Sequence, residues 1–305
     1  MSATPFYRRD WMVAIAFLLP NIVGFFMFTA GPVLSSFVLS FTSWDLLTPP
    51  RFVGFQNFID LLGFHRTVDG PRANDPDFWK FLGNTVFMMM TVPVNIATSL
   101  FLAVVLTKKI RLTYLYRLIF FLPNILAGVA IFYLWRWIYN PDYGLFNTIL
   151  GTIGIMGPNW LTDPSWAKPA IMIMGMWIGL GGTGMILYIA ALQNVSQELY
   201  EAAEIDGANA WRQFWAVTWP GVLPVTFFLF TMGLINGLQF GAEAVMIMTQ
   251  GGPFGATTTL GYFIYLKAYV DFEMGYAATI AWVLFLLILV ITIINWKKGG
   301  KNVSE

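Results

Sequence analysis

The sequence predicts an all-α integral membrane protein with six transmembrane helices, and three observations carry that prediction. Only 11% of the 305 residues are charged and 57% are hydrophobic, whereas an ordinary soluble domain carries about 25% charged residues. Six separate stretches each reach the roughly 20 mainly apolar residues that cross a hydrocarbon core of about 30 Å. No linker or low-complexity tract marks off a soluble domain, so residues 1–305 read as one membrane domain.

The first span, 11–31, follows Arg8 and Arg9 and has no A-x-A-like cleavage site behind it. It therefore reads as a retained span that can extend to Phe41 past Pro32, with a twin-arginine export signal as the alternative. Leu47-Thr48-Pro49-Pro50 and Asn74-Asp75-Pro76 then predict a folded, turn-rich outer segment. Span two, 81–106, runs into Lys108, Lys109 and Arg111, and span three, 114–137, ends at Trp135 and Trp137 before the turn Asn140-Pro141-Asp142-Tyr143-Gly144. Span four, 170–192, carries Gly175 and Gly179 at the G-x-x-x-G spacing that lets helices approach closely. Span five is 222–248, and span six, 276–296, is followed by Lys297, Lys298 and Lys301. Lysine and arginine in short loops favour the cytoplasmic side. That rule places both termini on the cytoplasmic side of the cell (inner) membrane, with Arg8, Arg9, Lys108, Lys109, Arg111, Arg117 and Arg212 on the same side. Trp44, Trp79, Trp135, Trp137, Trp160 and Trp166 fall near the expected outer interfaces, where an amphipathic ring prefers the headgroup depth.

Composition also excludes function classes. Lys plus Arg at 17 against Asp plus Glu at 16 gives a net charge of +1, which rules out the basic field that nucleic acid requires. With no cysteine and only His65, the chain has no disulfide framework, thiolate metal site or cysteine nucleophile, and little basis for imidazole chemistry; no catalytic or metal site is expected. Gly179 to Gly184 satisfies G-x-G-x-x-G, but that fingerprint works only between a strand and a helix, and here it lies inside an apolar span. The sequons at Asn194 and Asn302 fall on the expected inner side and read as chance.

The segment 193–221, between spans four and five, is the most informative. Gln197 to Ile205 are good helix formers, Asp206-Gly207 supplies a break that tolerates a left-handed conformation, and a second helix is expected from Ala208 to Thr218, before Pro220. Its carboxylates Glu198, Glu201, Glu204 and Asp206 stand beside Tyr200, Phe214 and Trp215. Membrane-surface helices are usually basic, so this acidic protrusion suits a groove on a protein partner.

Glu201-Ala202-Ala203-x-x-Asp206-Gly207-Ala208, followed by Phe214, Val217 and Pro220, resembles the "EAA" coupling loop of permease subunits in ABC importers. Further strings resemble the carbohydrate branch of that family, specifically permeases similar to the first maltose-importer subunit. They are Leu19-Pro20-Asn21 with Pro32, Ser40 to Trp44, Phe52 to Phe58, Asn84-Thr85, Arg117 with Phe121-Leu122-Pro123, Thr249 to Pro253, Tyr265 and Met274 to Ala278. Trp219 departs from the usual leucine before the proline and stays large and apolar. The resemblance implies a maltose-permease-like fold and docking of 193–221 into a cleft of a separate ATPase. On that implication Glu201 bonds polar groups of the groove, Ala202 and Ala203 allow close approach, and Gly207 permits the bend. It also implies a second homologous permease, two ATP-binding subunits that hold ATP and Mg, and an extracytoplasmic sugar-binding protein. The chain itself has no G-x-x-x-x-G-K-[ST] phosphate loop, so hydrolysis belongs to the partner.

For the substrate path, polar groups within a span tend to face a cavity or a partner. Asn236, Gln239 and Glu243 at i, i+3, i+7 fall on one face of an expected continuous span five. A sugar needs hydrogen-bonding partners for its hydroxyls and an aromatic plate for its ring, and Phe240, Trp177 and Tyr188 are the candidate plates. The competing role of these groups is bonding to neighbouring helices or to the partner permease, and Arg136 reads as an interface anchor. A sugar or oligosaccharide importer permease is the expectation. A glycerol-phosphate importer permease is its alternative within the family, and an ion-coupled secondary transporter or an intramembrane enzyme stands outside it.

Overall fold

The computed structural model describes residues 7–68, 70–108, 111–126, 128–239 and 241–299. The first helix, α1 (Tyr7–Phe25), passes through a π-helical turn (Phe26–Ala30) into α2 (Gly31–Leu39). In that widened turn the N–H of Gly31 bonds the carbonyl of Phe26, and Pro32, which has no N–H to give, is passed without ending the helix. Val13–Leu39 is thus one candidate span of 27 residues. Strands β1 (Thr42–Ser43) and β2 (Arg51–Phe52) pair antiparallel with Thr42 opposite Phe52. Helix α3 (Gln56–Leu62) and a hairpin, β3 (Phe64–Thr67) with β4 (Gly70–Ala73), complete the outer segment. His65 serves structure here: its Nδ1 lies 2.8 Å from Asn74 Oδ1, and the Asn74 amide donates to the Ile59 carbonyl at 3.0 Å.

Helices α4 (Pro76–Met88) and α5 (Thr91–Thr107) form a second span. It starts five residues before the expected 81, since Pro76 suits a helix start, where an N–H has no partner to lose. Span three is two helices, α6 (Thr113–Ile125) and α7 (Gly128–Ile138), and the short α8 (Leu145–Thr152) follows. Span four is also two helices, α9 (Ala167–Gly179) and α10 (Thr183–Gln193), bent by 41°. The glycines at that bend do let neighbours in, and they also end the helix. Gly181 has φ +72 and lies against Phe120, while a Cβ on Gly179 would overlap the Asn95 side chain.

Helix α11 (Gln197–Ile205) precedes α12 (Ala210–Gln213), which continues through a π turn (Phe214–Thr218) into α13 (Trp219–Gln239). After α14 (Ala242–Met248) come α15 (Leu260–Tyr265), a third π turn (Leu266–Val270) and α16 (Met274–Gly299). Among the described residues four helices are long and apolar enough to cross a membrane unaided, and the number reaches six when each of two bent pairs is counted as one span.

The chain packs as two compact units. The unit of residues 1–75 and 264–283 joins strings far apart in sequence. Tyr276 Oη donates to Asp75 Oδ2 at 2.6 Å, the Met274 N–H bonds the Trp44 carbonyl at 2.9 Å, and Thr279 Oγ1 donates to the Ser40 carbonyl at 2.9 Å. Gly275 has to be glycine because a Cβ there would overlap the Thr42 carbonyl. Lys267 bridges Asp271 and Glu273 at 3.0 Å each.

In the unit of residues 76–263 and 284–305, α5, α10 and α13 enclose buried Leu100, Ala103, Leu106, Met185, Tyr188 and Val222. A second aromatic core holds Trp135, Tyr139, Phe146 and Trp160 with ring centroids 5.2 to 5.9 Å apart. This corrects the expectation of an interfacial belt for Trp135 and Trp160, both buried inside the protein, whereas Trp79, Trp137 and Trp166 remain exposed.

Candidate coupling site and transport path

Each turn of segment 193–221 follows from residue chemistry. Ser196 caps α11, its hydroxyl accepting from the Glu198 N–H at 3.2 Å. At the other end the Ala208 N–H bonds the Ala203 carbonyl at 2.9 Å and the Gly207 N–H bonds the Glu204 carbonyl at 3.0 Å. These are the paired bonds of a Schellman stop, with Gly207 at φ +75 in the left-handed position and Ala208 folded back beside Ala203. Asn209 then caps α12 by accepting from the Arg212 N–H at 2.9 Å, and Gln213 Nε2 reaches back to the Ala208 carbonyl at 3.1 Å.

The second helix differs from expectation at both ends. It starts at Ala210 and does not stop before Pro220; Ala210–Gln239 is one helical span of 30 residues. The π turn explains this: the Trp219 N–H reaches back five residues to Phe214, and Pro220 falls just beyond it. Helix α11 is therefore braced to the base of a membrane span. Tyr200 Oη lies 3.0 Å from Thr218 Oγ1, and Val195 packs where a Cβ of Gly221 would be.

Glu201, Ala202, Asp206 and Gly207 are exposed along α11 and its stop, Ala203 and Ala208 are half-buried, Phe214 is half-buried under the bend, and Pro220 is exposed. Two exposed apolar groups add to the surface: Ile205, 87% exposed beside Asp206, and Trp211, 70% exposed. Ile205 was not singled out in the sequence because an isoleucine among helix formers reads as core; its place at the last position before the stop was the available signal. The segment itself helps to line a cavity of about 1450 Å³, together with residues such as Leu100, Lys108, Arg117 and Phe230. Arg117 donates from Nη2 to the Leu106 carbonyl at 3.1 Å, joining the ends of spans two and three.

The substrate-path candidates do not share one face. Helix α13 ends at Gln239, and Gly241 at φ +99 opens α14, so Glu243 belongs to a different helix from Asn236 and Gln239. The i+7 spacing fails because a left-handed glycine breaks the helix between them. Asn236 and Gln239, one turn apart at the end of α13, are both exposed, as is Glu243. Tyr188 is no exposed plate: its ring is fully buried and its hydroxyl donates to Thr226 Oγ1 at 2.9 Å, joining α10 to α13. Trp177 is half-buried, edge-on to Trp135 at 5.5 Å. Phe240 lies outside the described residues. Arg136 donates to the Ile247 carbonyl at 3.3 Å, which fixes α7 to α14. Among the described residues no group of three His, Cys, Asp or Glu could hold a metal ion.

Residues 79–296 match the model of the family described as "Binding-protein-dependent transport system inner membrane component". The chain belongs to that family. Among its relatives, the probable ABC transporter permease protein YesP of Bacillus subtilis is 33% identical to this permease, over 96% of this chain and 92% of that protein. The lactose transport system permease protein LacF of Rhizobium radiobacter is 36% identical, over 92% and 91%. In fold, the permease matches a chain from the crystal structure of a bacterial ABC transporter involved in the import of the acidic polysaccharide alginate. The TM-score is 0.83, with 23% identity and 96% of each chain covered. The permease is a membrane-embedded transport subunit of the binding-protein-dependent class.

Proposed function

We propose that this permease is one of two homologous membrane subunits of an ATP-driven importer that moves a sugar or oligosaccharide into the cell by alternating access. The observation that carries the coupling half of the reading is the construction of 193–221. An exposed acidic helix is stopped by Gly207 and braced through Tyr200 and Thr218 to the continuous span Ala210–Gln239. A protrusion built in this way transmits a push at its tip to the bundle as a rigid body. Two separate ATPase subunits, which bind ATP and Mg, receive the protrusion; Glu201 bonds polar groups of their cleft and Ala202 lets the surfaces meet closely. An extracytoplasmic sugar-binding protein delivers the solute on the other side, and both termini lie in the cytoplasm, as the lysines and arginines of the short loops favour.

A sugar is the substrate class favoured by the relative named for lactose transport. The exposed neutral amides of Asn236 and Gln239 suit hydroxyl groups, whereas the phosphate of a glycerol phosphate calls for arginine or lysine. The test is a mild-detergent pull-down of the tagged permease from its native membrane, followed by ATP-dependent uptake of radiolabelled sugars in vesicles. Co-purification of a second permease and an ATPase, with uptake abolished by loss of that ATPase, is the expected outcome. A chain recovered alone and intact, with uptake driven by a proton gradient, would overturn the proposal.

A further inference from the structure

The cavity of about 1450 Å³ lined by segment 193–221 lies wholly within the unit of residues 76–263 and 284–305. Its walls follow α5 from Pro93 to Lys108 and α13 from Trp219 to Phe230. At 1.5 Å per residue these walls run for roughly 20 Å. That is the depth of one leaflet, half of a hydrocarbon core of about 30 Å plus its headgroup region.

The two ends of the cavity differ in chemistry. Ala97, Leu100, Phe101 and Phe230 line the end deep in the spans. The hydroxyl at that depth, on Thr226, is already engaged: it donates to the Val222 carbonyl at 3.0 Å and accepts from Tyr188 at 2.9 Å. The other end is lined by Lys108, Arg117, Trp211 and Trp219, and basic groups and indoles are the side chains that suit headgroup depth. Among the described residues neither cation forms an ion pair, although Glu204 shares the lining. Arg117 gives one bond, from Nη2 to the Leu106 carbonyl, while its Nε is buried with no acceptor. The protein thus leaves the bonding of a charged group incomplete, which is costly without a further acceptor. Pro93, Ala97 and Phe101, one turn apart on α5, are all exposed and all line the cavity, so it opens along its flank.

We propose that this cavity seats an anionic phospholipid of the cytoplasmic leaflet, with its phosphate on Lys108 and Arg117 and an acyl chain laid along α5 and α13 toward Phe230. Charge and wall chemistry select this occupant. A guanidinium fork matches phosphate oxygens, and basic pockets between spans on the cytoplasmic side attract anionic headgroups. A sugar in transit would leave its hydroxyls without partners along the apolar walls, which costs free energy for each group. A lipid enters from the open flank and places only hydrocarbon there. The proposal takes its cytoplasmic side from the importer reading above and rests on it to that extent.

The test is native mass spectrometry of the tagged permease, alone or in the complex in which the pull-down recovers it, stripped of lipid in detergent and then given phosphatidylglycerol or phosphatidylcholine. Wild-type protein should retain phosphatidylglycerol in preference. Lys108→Gln, a change to an exposed side chain, should lower that retention about fivefold. Ala97→Phe, which adds a ring to the wall and leaves both charges in place, should lower it as well, and millimolar inorganic phosphate should not displace the lipid. Equal retention of the two lipids, or unchanged retention in both variants, would overturn the proposal. Displacement by phosphate alone would assign the basic end to a free anion, and displacement by the transported sugar would assign the cavity to the transport path; either overturns the lipid seat. So would a photo-crosslinking amino acid at position 97 that captures the second permease in intact cells and no lipid. A permease recovered without an ATPase that still retains phosphatidylglycerol selectively would overturn the importer reading and leave the lipid seat standing.

Discussion

Replacing Gly207 tests the proposed coupling role of segment 193–221 where its geometry is most specific. The residue sits at φ +75, and a Cβ added there meets nothing within 4 Å. The structure therefore predicts that substitution is penalised through the backbone alone. A residue with a Cβ in the left-handed region costs roughly 1–2 kcal/mol, and a β-branched one more, since its two γ substituents crowd the adjoining peptide. That is a 5- to 30-fold lower population of the stopped helix. If the chain escapes by continuing α11 in right-handed geometry, it loses the bonds from Gly207 and Ala208 and swings Asn209 away from its cap. Gly207→Val should thus lower ATP-dependent uptake in vesicles at least about tenfold and reduce the ATPase recovered with the tagged permease. Gly207→Ala should fall between the variant and wild type. Gly207→Asn should retain most activity, because asparagine tolerates the left-handed conformation. Wild-type uptake and assembly in Gly207→Val would refute the reasoning about the bend. Equal damage from asparagine and valine would refute the backbone account and assign the glycine to close approach by a partner.

Three further outcomes follow from the geometry. Tyr200→Phe removes the bond to Thr218, worth about 1 kcal/mol, and should lower the number of solute molecules moved per ATP; an unchanged ratio of uptake to hydrolysis would show that the brace plays no part in transmission. Asn236→Leu and Gln239→Leu should each weaken transport with the complex still assembled, and wild-type transport kinetics in both would remove the end of α13 from the path. Gly275→Ala forces a methyl group into the Thr42 carbonyl, an overpacking cost of about 1–3 kcal/mol or more. It should reduce the amount of folded permease in the membrane, measured by detergent-extracted monodisperse protein, and normal accumulation would show that α16 can shift away from β1.

What the sequence by itself determined was set by solvent and by local chemistry. A run of apolar residues long enough for the hydrocarbon core has no other stable place, so the spans are readable from composition alone. The stop at Asp206-Gly207 was readable because left-handed backbone strongly selects glycine. Family resemblance added the proposed role of 193–221 and named strings such as Asn84-Thr85 and Met274 to Ala278 without a physical reason for them.

Tertiary structure supplied those reasons. Asn84 and Thr85 hold the backbone between Gly255 and Leu260, and Gly275 lets α16 meet Thr42; neither pairing is visible in a linear chain because its partners lie more than 150 residues apart. Tertiary structure also decided where periodicity misleads. An apolar stretch shows the same hydropathy whether its helix is straight or broken, so the turns at Gly181 and Gly241 passed as interior residues. A tyrosine in such a stretch looks the same whether it faces a solute or, like Tyr188, the core. Hydropathy records transfer from water to lipid, and it carries no information about which apolar neighbour a side chain meets once it is there. That choice depends on packing among helices brought together from distant parts of the chain.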